Sequence, residues 1–269
     1  MRKRPHLGVA QGRHTTPRRG LLLPAALALA VAALVDVSAQ PRARQFALDS
    51  VAGLRLHNVT ASAATLDGKQ GVRVTMADEA RAKFLRLTPE ERGQAVQSGQ
   101  LEQLAVIEDL AFDNGVIEAE IAGAPQAGTF EGARGFVGIA FRVQDDLRTY
   151  DAFYLRPTNG RADDQVRRNH STQYISHPDW TWSRLRNEAP KKYESYVDLE
   201  PGVWTKIRIE VQGARARLFV HDQSQPTLVV NDLKTGDRLR GRIALWIDVG
   251  TDAHFRNVVV TPSEGANAR

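Results

Sequence analysis

Glu118 and Glu120, in the run Ile117-Glu118-Ala119-Glu120-Ile121, are the first residues whose type and spacing could do chemistry. In an extended strand, residues i and i+2 share a face with Cα atoms roughly 6.5–7 Å apart. Two carboxylates so placed can act as the acid and the nucleophile or base of glycoside cleavage. The same spacing also describes a plain amphipathic strand.

A second group is spread over several segments. Alternation at period two sends Val137, Ile139, Phe141 and Val143 to one face and Gly138, Ala140 and Arg142 to the other. It turns Phe153 and Leu155 inward, with Tyr150, Ala152, Tyr154 and Arg156 outward, and in 242–249 it turns Arg242, Ala244, Trp246 and Asp248 outward. If these strands share one sheet with the strand of Glu118, the outward residues make a carbohydrate cleft. Tyr154 and Trp246 offer ring faces, Arg142 and Arg156 offer forked donors, and small residues leave a depression between them. The alternative is a solvated face with ordinary cross-strand ion pairs.

The segment 157–200 carries Arg168, His170, His177, Trp180 and Trp182 between two strands. It reads as a long ligand-lining loop closing over that face, or as a lid that packs its own aromatics. Either imidazole, His170 or His177, could serve as a base.

The elements that must position these groups are short strands between Gly, Pro, Asp and Asn turns. They are predicted at 54–59, 71–76, 82–87, 116–122, 135–144, 150–156, 172–176, 203–212, 216–221, 228–230, 242–249 and 255–261. One short helix is predicted near 89–98, where Thr88-Pro89-Glu90-Glu91 supplies a cap, a first-turn proline and early acids. The pattern is that of an all-β sandwich over 40–262, with a flexible tail at 263–269.

Charge narrows the partners. The formal net charge is +5, yet residues 1–39 hold six Lys/Arg and one acid, which leaves 30 basic and 30 acidic residues in the remainder. A near-neutral domain lacks the footprint of a nucleic-acid binder. The basic start, the apolar run Leu21–Val35 and the small residues of Val37-Ser38-Ala39 predict a signal peptide cleaved before Gln40, hence a periplasmic or extracellular protein. Pro17-Arg18-Arg19-Gly20-Leu21-Leu22 also has a loose twin-arginine look. Fifteen apolar residues are short for a membrane span, and no second apolar segment predicts one.

Cysteine is absent, which excludes thiol catalysis and thiolate metal sites. Nucleophile-elbow, phosphate-loop, zinc-protease and dinucleotide motifs are missing. No metal ligand set and no cofactor are predicted, although Asp145-Asp146 and Asp163-Asp164 could contribute to a calcium site.

From about residue 113 to 262 the chain carries Asp113-Asn114-Gly115-Val116-Ile117-Glu118-Ala119-Glu120, then Gly135-Phe136-Val137-Gly138-Ile139-Ala140-Phe141-Arg142, then Tyr154-Leu155-Arg156-Pro157. Gly202-Val203-Trp204-Thr205-Lys206, Gly241-Arg242-Ile243-Ala244-Leu245-Trp246 and Phe255-Arg256-Asn257-Val258 follow. In this order it resembles the bacterial domain family of unknown function labelled 3-keto-disaccharide hydrolase, and more distantly laminin-G-like and family-16 glucanase domains. The resemblance implies a concanavalin A-like jelly-roll sandwich of two antiparallel sheets. It also implies a glycoside ligand and cleavage of a glycosidic bond, in a 3-keto sugar whose ketone acidifies the neighbouring C–H and permits elimination. A non-catalytic carbohydrate-binding or laminin-G-like adhesion module stays open beside that reading. The family-16 arrangement Glu-x-Asp-x-x-Glu is not completed, because position 123 is Gly, so that mechanism does not carry over.

Overall fold

A computed structural model describes residues 42–263, apart from 131 and 238. The predicted signal peptide and most of the predicted tail lie outside the described residues.

The strands are β1 (Arg44–Phe46), β2 (Leu54–His57), β3 (Val59–Leu66), β4 (Lys69–Met76), β5 (Leu104–Phe112), β6 (Gly115–Pro125), β7 (Val137–Val143) and β8 (Tyr150–Leu155). They continue as β9 (Thr172–His177), β10 (Glu194–Ser195), β11 (Thr205–Gln212), β12 (Arg215–Val220), β13 (Leu228–Val230), β14 (Gly241–Ile247) and β15 (Thr251–Pro262). One sheet has eight strands in the order β13-β12-β11-β6-β15-β4-β3, with β1 beside β15; the other has seven in the order β10-β9-β8-β7-β14-β5-β2. Every pairing is antiparallel. The concanavalin A-like, jelly-roll type sandwich is therefore the fold.

One apolar core lies between the sheets. Ile117, Ile121, Ile209 and Phe255 come from the eight-stranded side; Ile139, Phe141, Phe153 and Phe112 come from the other. Phe141 stacks on Phe153 at 6.2 Å and meets Phe112 edge-on at 6.4 Å. Burying such rings supplies much of the stability that a chain without disulfides needs.

Helix α1 (Asp78–Arg86) corrects the strand expected over 82–87. Acids in its first turn, bases in its last, and ion pairs Asp78–Arg81 and Glu79–Lys83 favour the helix. Helix α2 (Pro89–Ser98) stands where predicted. The Thr88 hydroxyl accepts from Glu91 N at 3.2 Å, the Glu91 carboxylate accepts from Thr88 N at 2.8 Å, and Gly99 ends the helix at φ 61°.

The segment 157–200 is not a loop. It forms α3 (Pro157–Gly160), α4 (Gln165–Arg168), β9, α5 (Trp182–Glu188) and β10, and the two strands extend the seven-stranded sheet. Among the described residues no helix is long and apolar enough to cross a membrane.

Candidate functional site

The seven-stranded sheet turns a row of side chains away from the core. Pairing aligns Trp246 (β14) with Gly138 (β7), Gly138 with Tyr154 (β8), Tyr154 with Gln173 (β9), and Gln173 with Glu194 (β10). Gly138 leaves a gap in that row. The Tyr154 and Trp246 rings close over it, stacked at 4.6 Å and 27°, while Phe136 stacks on the other side of Tyr154 at 5.8 Å. These rings wall a cavity of about 350 Å³ that α2, Phe130, Arg134, α4 and α5 enclose from above.

Arg156 follows β8 and sits at one end of the row, 4% exposed. One Nη donates to Glu194 at 3.0 Å and to the His170 carbonyl at 3.2 Å. The other donates to the Tyr154 hydroxyl at 2.8 Å and Gln173 Oε1 at 3.0 Å, and Nε is buried without an acceptor. Glu194 also binds Arg186, and His170 Nε2 lies 3.4 Å from it. Burial works to raise the Glu194 carboxyl, but Arg186 and Arg156 outweigh it and hold the group below the usual carboxylate range. Burial lowers His170.

At the opposite end stand Tyr150 and His177. The indole N–H of Trp246 reaches the Tyr150 hydroxyl at 3.2 Å, and that hydroxyl lies 3.0 Å from His177 Nδ1. An indole N–H only donates, so the hydroxyl accepts from Trp246, while its bond with Nδ1 runs in the direction set by the imidazole tautomer. Burial lowers the imidazole to about 4, so the ring is neutral near pH 7. Gly99 makes this packing possible: a Cβ there would come within 2.5 Å of His177 Cε1.

Asp248 follows β14 and lines the same cavity. Its backbone N–H is tied to the Phe136 carbonyl at 3.1 Å. Burial pushes its carboxyl up to about 6, against the Val249 N–H and the attraction of Arg156. A carboxylate tuned so near neutrality is suited to accept a proton.

The structure brings Tyr154, Arg156, His170, His177, Trp182 and Trp246 to one cavity. The others part from them, because the face expected to be continuous is divided between two sheets and interrupted by a bulge. Glu118 and Glu120 lie on the eight-stranded sheet. Glu118 is exposed opposite Arg208; Glu120 takes Lys69 at 3.7 Å, Arg256 at 3.4 Å and Asn257 at 2.8 Å.

Arg142 is not in the cleft. It is 0% exposed, at φ 57°, where the β7–β14 register shifts and period-two alternation fails. Its guanidinium donates to the carbonyls of Asp113, Gly213 and Gly236 at 2.7–3.0 Å and lies 4.0 Å from Asp151. Arg168 packs over Tyr196 at 5.5 Å, and Trp180 sits between Arg184 at 3.9 Å and Lys234 at 4.5 Å; neither lines the cavity.

Sequence reasoning missed Arg134 as a cavity residue. Alternation set Asp248 and Tyr150 on the face of Tyr154 and Trp246, and Arg167 and Arg186 belong to the segment 157–200 read as ligand-lining, but none of the four was singled out. Of the acids considered for calcium, Asp145 pairs with Arg242, Asp146 accepts from Arg148 N and Thr149 N at 2.9 Å, and Asp164 caps α4. Among the described residues no three His, Asp or Glu side chains cluster as metal ligands.

Fold and site together define a class, a jelly-roll sandwich with an aromatic, charged cavity on one sheet. Within it, the chain belongs to the 3-keto-α-glucoside-1,2-lyase-like domain family, which it matches over residues 67–261. No curated protein matches it in sequence. Among solved structures it is similar to the carbohydrate-binding module CBM66 from Bacillus subtilis, at 12% identity and TM-score 0.43, covering 77% of this chain and 98% of that one. It is similar to a protein described as a putative glycosyl hydrolase from Parabacteroides distasonis, at 9% identity and TM-score 0.42, covering 81% and 99%. A third likeness is domain 4 of an extracellular arabinanase from Geobacillus stearothermophilus in complex with arabinotriose, at 12% identity and TM-score 0.39, covering 82% of each chain.

Proposed function

We propose that the protein is an exported lyase that breaks the C1–O bond of a 3-keto glycoside by 1,2-elimination. The observation that carries this reading is Asp248, a carboxyl raised to about 6 in the wall of a ring-lined cavity. The ketone acidifies the C2 hydrogen. Asp248 takes that proton, and the C–H electrons form an enolate with its charge on the C3 oxygen. Collapse of the enolate restores the ketone, forms the C1=C2 double bond and expels the C1 oxygen, which leaves as an alcohol after taking up a proton. Neutral His177, in the tautomer that carries its proton on Nε2 and accepts from Tyr150 at Nδ1, is suited to donate to the enolate oxygen, a role that stabilises charge where it develops. The stacked Tyr154 and Trp246 rings suit a sugar face. Family membership supports the reaction class, and Glu118 and Glu120 have no part in it.

The test is turnover of methyl α-glucoside oxidised at C3. The reading expects release of methanol together with an absorbing enone, and no reaction with the unoxidised glucoside. Tight binding of either sugar with no turnover would overturn the lyase reading in favour of a carbohydrate-binding module.

A further inference from the structure

Among the described residues many arginines pair with carboxylates, as in Arg73–Asp252, Arg161–Asp198 and Arg184–Glu188. Arg134 and Arg167 depart from that pattern. Both line the cavity, and among the described residues neither has a carboxylate within ion-pair distance. Arg167 makes only long contacts through Nη2, to the Thr158 carbonyl at 3.4 Å and Asn159 Oδ1 at 3.5 Å, and its Nε is buried without an acceptor. The acid nearest in sequence, Asp164, is engaged by the backbone N–H groups of Val166 at 2.8 Å and Arg167 at 3.1 Å. Arg156 adds a third cationic group, 4% exposed, with its own Nε buried and unpartnered.

Charge counts the same way. Among the described residues Arg134, Arg156, Arg167 and Arg186 stand in or beside the cavity wall against two carboxylates, Glu194 and Asp248. Arg134 is exposed and solvated, whereas the buried Nε groups of Arg156 and Arg167 are costly to leave unmet unless a ligand supplies the acceptor. The forked donor geometry matches a carboxylate.

We propose that the glycoside taken by this cavity is acidic, and that Arg134 and Arg167 receive a carboxylate on it. The inference rests on the reading of the cavity as a 3-keto-glycoside site. It assigns these arginines to substrate selection, apart from the proton transfer at Asp248.

Competition between 3-keto methyl α-glucuronide and 3-keto methyl α-glucoside tests it with the full protein. The expected result is a kcat/KM at least tenfold higher for the glucuronide, a ratio that shrinks as salt is added. Replacing both arginines, Arg134→Gln with Arg167→Gln, should bring the ratio toward one. Equal turnover of the two sugars by the unaltered protein, or a preference for the neutral one, would overturn the acidic-substrate proposal while leaving the lyase reading intact. Failure to turn over either sugar would overturn the lyase reading, and this proposal with it. The wild-type ratio and its salt dependence decide the matter even if the double variant does not fold.

Discussion

The rings of Tyr154 and Trp246 lie 4.6 Å apart because the residue paired between them on β7 is Gly138. A Cβ at 138 would come within 2.5 Å of Tyr154 Cβ, with the backbone of β8 as close. Neither strand can retreat from a sheet centre without breaking its hydrogen bonds. Gly138→Ala should therefore destabilise the fold by about 1–3 kcal/mol, the usual range for overpacking. It should also change the tryptophan fluorescence of the native state as the stack opens. A variant with wild-type stability and spectrum would show that the row is not so tightly built.

Arg142 gives a prediction opposite to the one its sequence position suggests. On an open face, Arg142→Ala would cost under about 1 kcal/mol. Buried among carbonyls and beside Asp151, it should cost roughly 3–5 kcal/mol, since removal leaves an uncompensated carboxyl and orphaned acceptors. Phe141→Ala should lose a similar amount through its cavity in the core. Urea unfolding of both variants checks this; a small loss at Arg142 alone would return it to the surface.

These two positions show what was legible in the sequence. The strands from β6 onward apart from the short β10, the capped helix and the inward set Ile139, Phe141, Phe153 and Ile243 follow from period-two alternation and turn chemistry, which are local. Arg142 was misplaced because a bulge shifts the period, and nothing in the local pattern marks it. Glu118 and Glu120 were grouped with Arg156 because alternation assigns a face to each strand but does not say which sheet the strand joins. Asp248 lay on the correct face in the sequence pattern. Its importance comes from burial in a cavity that α2, Phe130 and Arg134 help to enclose.

Asp248 should lower stability as well as support chemistry. Its folded-state value of about 6 lies above the ordinary aspartate value of about 4. Well below about pH 4 the group is protonated whether folded or unfolded. As pH rises from there to 6, the unfolded chain ionises first, so the carboxyl destabilises the fold by about 1–3 kcal/mol at neutral pH. Asp248→Asn should be more stable than the wild type by that amount at pH 7.5, with the difference vanishing near pH 4. Thermal unfolding across pH measures it, and a less stable variant at pH 7.5 would refute the burial argument.

Export makes its own prediction. The mature chain should begin at or near Gln40. N-terminal sequencing of protein recovered outside the cytoplasm should find that residue; retention of Met1 or Arg2 would contradict cleavage.

The most direct test of the account follows the C2 hydrogen. A 3-keto α-glucoside deuterated at C2 should lose its deuterium as the alcohol is released, with a primary isotope effect above a rate that rises through pH 6. Asp248→Asn should slow that loss by about 10²–10⁴-fold, the range for removing a general base. Alcohol released with deuterium still at C2, or a variant as fast as the wild type, would contradict elimination by Asp248.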